Sequence, residues 1–300
     1  MYRYLISLCI VSVMALAASS PAIAQDASPV SESPGRNLSL LQELGLPEID
    51  LVATEAEVTG VPTELTAGRY LVTLDNQAAD QSIGVFIIAV PAGTTDDEAL
   101  KGMVEEGQPA WYYDATWAGG PFAGAGQTDG AVIELGAGTW WIDFDRRAGA
   151  DNQLVDTATK FEVTGELPAG ADIAGAVPVT LTEYSFTLPE TLPAGPQIWE
   201  VTNIGAQPHF LGLAQLPDGT TRDQLAEAVS MAFTGTPAVS ALALEDIHDL
   251  YETSILSSGQ TMWIEVDLSA GTFGLACFVS DQGSQAPHAM LGMTQVFTVE

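Results

Sequence analysis

Residues 276–293 read "ACFVSDQGSQAPHAMLGM". Cys277, His288, Met290 and Met293 all fall inside this run, in a chain of 300 residues with only two cysteines and three histidines. The alternating "GLACFV" is a β-strand pattern, and "TQVFTV" after the run is another, so His288 lies on the last connection between strands. Taken singly, each residue has an ordinary reading. Cys277 can be a small core side chain, the histidines solvated loop residues, and the methionines core contacts.

Taken together, they form a donor set. Upstream, "NIGAQPHFLGL" places His209 after a Gly- and Pro-containing turn and at the start of an apolar strand. One thiolate, two imidazoles and a weak thioether on a stiff β-scaffold are what a trigonal electron-transfer copper site requires. The third histidine, His248 in "LEDIHDLYE", fits neither spacing and reads as a surface residue of a short helix over 241–252.

Working outward, most of the chain has strand character. "RYLVTL", "GVFIIAV", "AVIEL" and "TWWIDF" precede "IWEVT", "FLGLAQL", "MWIEVDL", "FGLACFV" and "TQVFTV", with Gly, Pro and Asn between them. "IELGAGTWWI" and "VDLSAGTFGL" read as hairpins turning at Ala-Gly. Three segments also recur in order. "TEAEVTGVPTELTAGRYLVTLDN" at 54–76 parallels "TEYSFTLPETLPAGPQIWEVTN" at 182–203, "FIIAVPAGTTDDEAL" parallels "GLAQLPDGTTRDQL", and "GAGQTDGAVIELGAGTWWIDF" parallels "LSSGQTMWIEVDLSAGTFGLACF". This is the pattern of a tandem duplication, with a boundary near residues 164–175. In this alignment Ile83 stands opposite His209 and Phe144 opposite Cys277, and the first half has no histidine at all. One helix per copy is expected, after the capping boxes formed by Thr95 with Glu98 and by Thr221 with Gln224.

The start "MYRYLISLCIVSVMALAASSPAIAQ" carries a basic residue, an apolar run and a small-residue cleavage pattern, so residues 1–24 read as a secretory signal. The apolar run is shorter than the roughly 20 residues that span a bilayer. The expectation is a periplasmic or secreted mature protein without a membrane span, led by a flexible segment at 25–48. Removal of the signal takes Cys9 with it and leaves Cys277 unpaired in an oxidising compartment, where a thiol is buried, reactive or metal-bound. The net charge of −31 repels phosphate backbones, which argues against nucleic acid. It suits a solvated surface in a saline medium or a redox partner protein with a basic docking face.

The order of "NIGAQPHFLGL", then "CFV", then "PHAMLGM" resembles the cupredoxins, in particular plastocyanin-like blue copper domains. The resemblance covers residues 176–300, with a weaker echo in 50–166. It implies a mainly β fold of two tandem cupredoxin-like Greek-key β-sandwich domains, each with a short helical insertion: 49–166 without metal ligands, and 167–300 with a type 1 copper site. It also implies Cys277 as thiolate ligand, His209 and His288 as imidazole ligands and Met293 as axial thioether. Cupredoxin loops usually place two to four residues between the Cys and the second His, whereas ten intervene here. Lengthening such a loop costs only about 1 kcal/mol of closure entropy, against roughly 10 kcal/mol for binding a metal.

The resemblance implies one-electron transfer or copper carriage outside the cytoplasm. Three histidines are too few for the extra coppers of a multicopper oxidase or copper nitrite reductase, so the expectation is that the chain is not an enzyme. The alternative is a metal-free exported β-sandwich with a binding or structural role in the envelope. In that case the aromatic run "PAWYYDATWAGGPF" at 109–122 forms a sugar-stacking or partner face, or a hydrophobic lid.

Overall fold

The computed structural model describes residues 37–104, 108–148, 153–154, 158–235 and 242–300. The signal sequence expected at 1–24 and the leader up to residue 36 lie outside them. The described chain is a β-sandwich of more than one domain, organised around one sheet of eight strands. Its order is Ser185–Thr187, Val177–Thr182, Gly195–Asn203, Thr261–Leu268, Thr128–Leu135, Gly68–Asn76, Glu48–Ala53 and Val58–Thr59. Four strands come from each half. The halves join in antiparallel register at Met262–Ile133, Trp263–Val132 and Ile264–Ala131.

Each half has its own second sheet. In the first half it runs Glu64–Thr66, Thr159–Thr164, Gly138–Phe144, Ile83–Ala89 and Thr116–Trp117, with Phe122–Ala123 also paired to Ile83–Ala89. In the second half it runs Thr191–Leu192, Thr294–Val299, Gly271–Ala276, Gly212–Leu216 and His248–Glu252. Some strands alternate in burial and turn one face inward, while central ones such as Ile83–Ala89 and Gly271–Ala276 are buried almost throughout. Gln197, Trp199, Val201 and Asn203 alternate in this way along Gly195–Asn203, and Trp199 meets Phe297 of the opposite sheet edge-on at 5.9 Å.

The Ala-Gly segments are not hairpins. Thr128–Leu135 and Thr261–Leu268 belong to the shared sheet, while the strands that follow them, Gly138–Phe144 and Gly271–Ala276, belong to the second sheets. The chain therefore arches from one layer of the sandwich to the other. At both arches the new strand opens on a glycine with positive φ, +151° at Gly138 and +155° at Gly271, a conformation that residues with a Cβ rarely take.

The helices Asp96–Val104 and Arg222–Thr234 start at the two expected boxes. Thr95 N–H donates to Glu98, the Thr221 box is reciprocal, and Gly235 in the left-handed region ends the second helix. The helix expected over 241–252 is instead a single 3₁₀ turn at Leu244–Asp246 followed by the strand His248–Glu252. Edge pairing with Gly212–Leu216 and the inward packing of Tyr251 outweigh local helix preference there, and His248 stays exposed. Residues 37–48 are not a loose leader. Leu38 and Leu41 pack on Leu71, Val132 and Trp263 on the outer face of the shared sheet, and Glu265 accepts the N–H groups of Leu40 and Leu41 at 2.8 and 3.2 Å.

Candidate metal centre

Two loops at one end of the second half carry the donors. The first begins at Asn203, buried at the end of its strand. Its side-chain amide donates to the carbonyls of Gln207 and Leu256, both at 2.8 Å, and its Oδ1 accepts Gly205 N–H at 2.8 Å. This ties residues 204–208 into a fixed loop. His209 follows, exchanging backbone hydrogen bonds with Leu256 at 3.0 and 2.8 Å.

The second loop solves the ten-residue spacing. Cys277 lies one residue beyond the pair Gly212–Ala276, and the chain then turns back on itself through a bridge between Ser280 and Pro287. His288 N–H donates to Val279 O at 2.8 Å and Ala289 N–H to Cys277 O at 2.7 Å, which returns the imidazole to the side of the thiol. The intervening residues are held by Asp281. One of its oxygens accepts Tyr184 O–H at 2.6 Å and Gln207 Nε2 at 2.9 Å, and the other accepts the N–H groups of Gly283 and Ser284 at 3.0 and 2.6 Å.

The result is a triangle of donor atoms. His209 Nδ1 and His288 Nδ1 are 2.9 Å apart, and Cys277 Sγ lies 3.8 Å from the first and 3.7 Å from the second. All three side chains are fully buried. Those sides leave room at the centre for an ion roughly 2 Å from each donor, the length of first-row metal bonds to imidazole and thiolate. Among the described residues, these three form the one close group of Cys, His and carboxylate donors able to hold a metal ion. Met293 is also fully buried; its N–H donates to His288 O at 2.9 Å and its carbonyl accepts Cys277 N–H at 3.3 Å. Met290 is 38% exposed, which places it on the surface rather than in the site wall.

Burial sets the protonation states. It lowers His209 to about 4, helped by His288 and opposed by Glu183, and it lowers His288 to about 4 against Asp281 and Glu183. Burial also pushes the Cys277 thiol up to about 12. At neutral pH the metal-free site therefore holds two neutral imidazoles and one protonated thiol, so a metal ion must displace the thiol proton to bind.

An outer layer surrounds the donors. The turn between Val177–Thr182 and Ser185–Thr187 brings Glu183 to 3.6 Å from His209 Nε2, and Tyr184 edge-on to His288 with ring centroids 5.5 Å apart. The first half supplies a clamp as well. Leu256, paired to His209, also bridges to Ala118. The Ser257 hydroxyl accepts Trp117 N–H at 2.9 Å and donates to Ala115 O at 2.8 Å, and Tyr113 O–H lies 2.8 Å from Ser280 O. The run 109–122 is thus a lid between the halves, with Trp111, Tyr112 and Trp117 buried. Of the residues named from the sequence, His209, Cys277 and His288 converge, whereas Glu183, Tyr184, Asp281 and Tyr113 were missed, because common residue types in unremarkable turns carry no spacing signal.

The same local architecture recurs in the first half without donors. Asn76 is buried at the end of its strand, its side-chain amide bonded to the carbonyls of Gln81, Ala123 and Gly124, and its Oδ1 accepts Ala78 N–H. Fully buried Ile83 opens the next strand, whereas His209 stands three residues before Gly212–Leu216. Phe144 pairs with Val85, the place that Cys277 takes beside Leu211 when the Gly212–Ala276 ladder is continued by one residue.

No family model and no curated protein matches the chain. Solved structures do. A dithionite-reduced auracyanin of the photosynthetic bacterium Roseiflexus castenholzii is 18% identical over 43% of this chain and 99% of its own, with a TM-score of 0.29. A multicopper oxidase matches across both halves, 12% identical over 84% of this chain and 88% of its own, with a TM-score of 0.24. A copper nitrite reductase of Nitrosomonas europaea is 9% identical over 84% and 93%, with a TM-score of 0.23. These likenesses correct the expectation that the chain is not an enzyme. Multicopper oxidases and copper nitrite reductases are among the solved structures similar to it over most of its length. Among the described residues no helix is long and apolar enough to cross a membrane.

Proposed function

We propose that this chain is an exported, periplasmic or secreted copper protein that passes single electrons or carries copper. In this reading Cys277, His209 and His288 are the strong ligands of a type 1 site and Met293 the weak axial one. The observation that carries the reading is the buried triangle of one sulfur and two Nδ1 atoms with sides of 2.9 to 3.8 Å. Structural zinc is almost always held by four strong donors in a tetrahedron, whereas two imidazoles and one thiolate with a thioether nearby match copper.

Bound copper would supply a reversible one-electron couple. The chain's own residues do the rest. Asn203 and the Leu256 pairing hold His209, the Ser280–Pro287 bridge holds His288, and complete burial of the donors keeps water from the site. A scaffold that changes little between two oxidation states lowers the reorganisation that accompanies electron transfer.

In this reading residues 49–166 and 167–300 are tandem copies, the first of them degenerate, since Ile83 and Phe144 occupy the places of His209 and Cys277. The acidic surface, with a net charge of −31, would steer a redox partner that presents a basic docking face. The test is to load the purified full chain with Cu(II), desalt it and record the visible spectrum beside Cys277→Ser. An intense thiolate-to-copper charge-transfer band in wild type, absent from the variant, is expected. A wild type that retains no copper overturns the reading.

A further inference from the structure

Of the two fully buried imidazoles, each presents Nδ1 to the donor triangle and leaves Nε2 without a hydrogen-bond partner. Among the described residues, a carboxylate stands at ion-pair distance from that atom in His209 alone. Glu183 Oε1 stands 3.6 Å from His209 Nε2, an electrostatic contact rather than a formed hydrogen bond. The carboxylate is held there by donors outside the imidazole. The same oxygen accepts Gln207 N–H at 2.8 Å and also Ala206 N–H.

Two backbone features show that this approach is built in. Gly205 has no Cβ, and one placed there would fall 2.8 Å from Glu183 Oε1 and 2.9 Å from His209 Nε2, filling the gap between them. Tyr184, the second residue of the same turn, sits at φ +61°, a strained conformation that a residue with a side chain rarely adopts. That strain is held by the Tyr184 O–H bond to Asp281 and by its ring against His288.

We infer that Glu183 is a positioning residue for the metal centre. Its carboxylate draws the His209 proton to Nε2, leaving the Nδ1 lone pair free for a metal ion, and its charge favours the more positive oxidation state of that ion. A carboxylate behind a ligating histidine fixes tautomer and ring orientation in metal sites generally. In the metal-free protein it makes the imidazole pair asymmetric. His209 Nδ1 is the acceptor of the 2.9 Å contact and His288 Nδ1 the donor. The assignment to copper chemistry rests on the proposed function; the tautomer does not.

The experiment uses the full chain in both forms. Imidazole ¹⁵N NMR of the metal-free protein is expected to show His209 protonated on Nε2 and His288 on Nδ1. Glu183→Ala should mix the His209 tautomers, while Glu183→Gln, whose amide oxygen still accepts, should preserve them. In the copper-loaded protein Glu183→Gln is expected to raise the Cu(I) to Cu(II) ratio at a fixed poise about tenfold, roughly 59 mV for one electron, with the visible band retained. A wild-type His209 carrying its proton on Nδ1 overturns the inference, as does an unchanged midpoint potential in Glu183→Gln. Failure of wild type to retain copper overturns the functional reading instead, and the tautomer measurement then decides this inference by itself.

Discussion

The two halves of the chain meet in one continuous sheet, yet they fill the same corner of their sandwiches with opposite chemistry. In the first, Ile83 and Phe144 are fully buried apolar side chains. In the second, His209, Cys277 and His288 are just as buried, and the outer nitrogen of each imidazole has no hydrogen-bond partner. A buried polar group without a partner costs about 1–3 kcal/mol, so the scaffold does not need these donors and is less stable for having them. A bound ion would offset that cost. The first half shows what the corner is like when nothing has to bind.

The largest consequence is in acid. Both imidazoles titrate near 4 in the folded protein, below their ordinary 6.5, so the folded state binds fewer protons than the unfolded one between these values. Metal-free stability should therefore be fully present above pH 6.5 and fall as pH drops towards 4, by on the order of 6 kcal/mol for the two groups together. Urea unfolding across this range measures it. Giving the second corner the character of the first, with His209→Ile and His288→Leu, should flatten the profile; an equally steep decline in that variant would mean that other groups govern it.

A middle-sized effect tests whether the halves act as one body. Ser257→Ala leaves Trp117 N–H and Ala115 C=O unpaired in the seam, at a cost of about 2 kcal/mol. Leu256 beside it pairs with both Ala118 and His209, so the variant should also release copper faster. Reduced stability with unchanged copper release would make the first half a neighbour rather than a clamp. The smallest effect belongs to Tyr113→Phe, which removes a hydroxyl 2.8 Å from Ser280 O at a cost of about 1 kcal/mol. It should show as a small downward shift of the thermal midpoint, with the visible band of the loaded protein intact.

Much of this comparison was legible in the sequence. Period-two patterns gave many of the strands, the capping boxes gave both helix starts, and the sequence named His209, Cys277 and His288, which converge. Three local readings failed for one reason, that tertiary partners outweighed local pattern. The Ala-Gly turns became arches because the following strand pairs in the other layer. His248–Glu252, within the expected helix, became an edge strand because Gly212–Leu216 was free to pair with it. Residues 37–48 became ordered because Leu38 and Leu41 found an apolar face around Trp263.

The sequence by itself determined which chemistry the chain can hold, because a thiol, two imidazoles and a thioether are properties of residue type and order. Only the tertiary structure decided that the donors meet. The ten-residue spacer brings His288 back to Cys277 through the Ser280–Pro287 bridge and the hydrogen bonds gathered by Asp281, and no spacing rule encodes such a return. It also decided their environment, since Glu183 and Tyr113 reach the site from a remote turn and from the other half of the chain. Donor identity is local, whereas donor geometry and the charge around it are set by contacts between segments far apart in sequence.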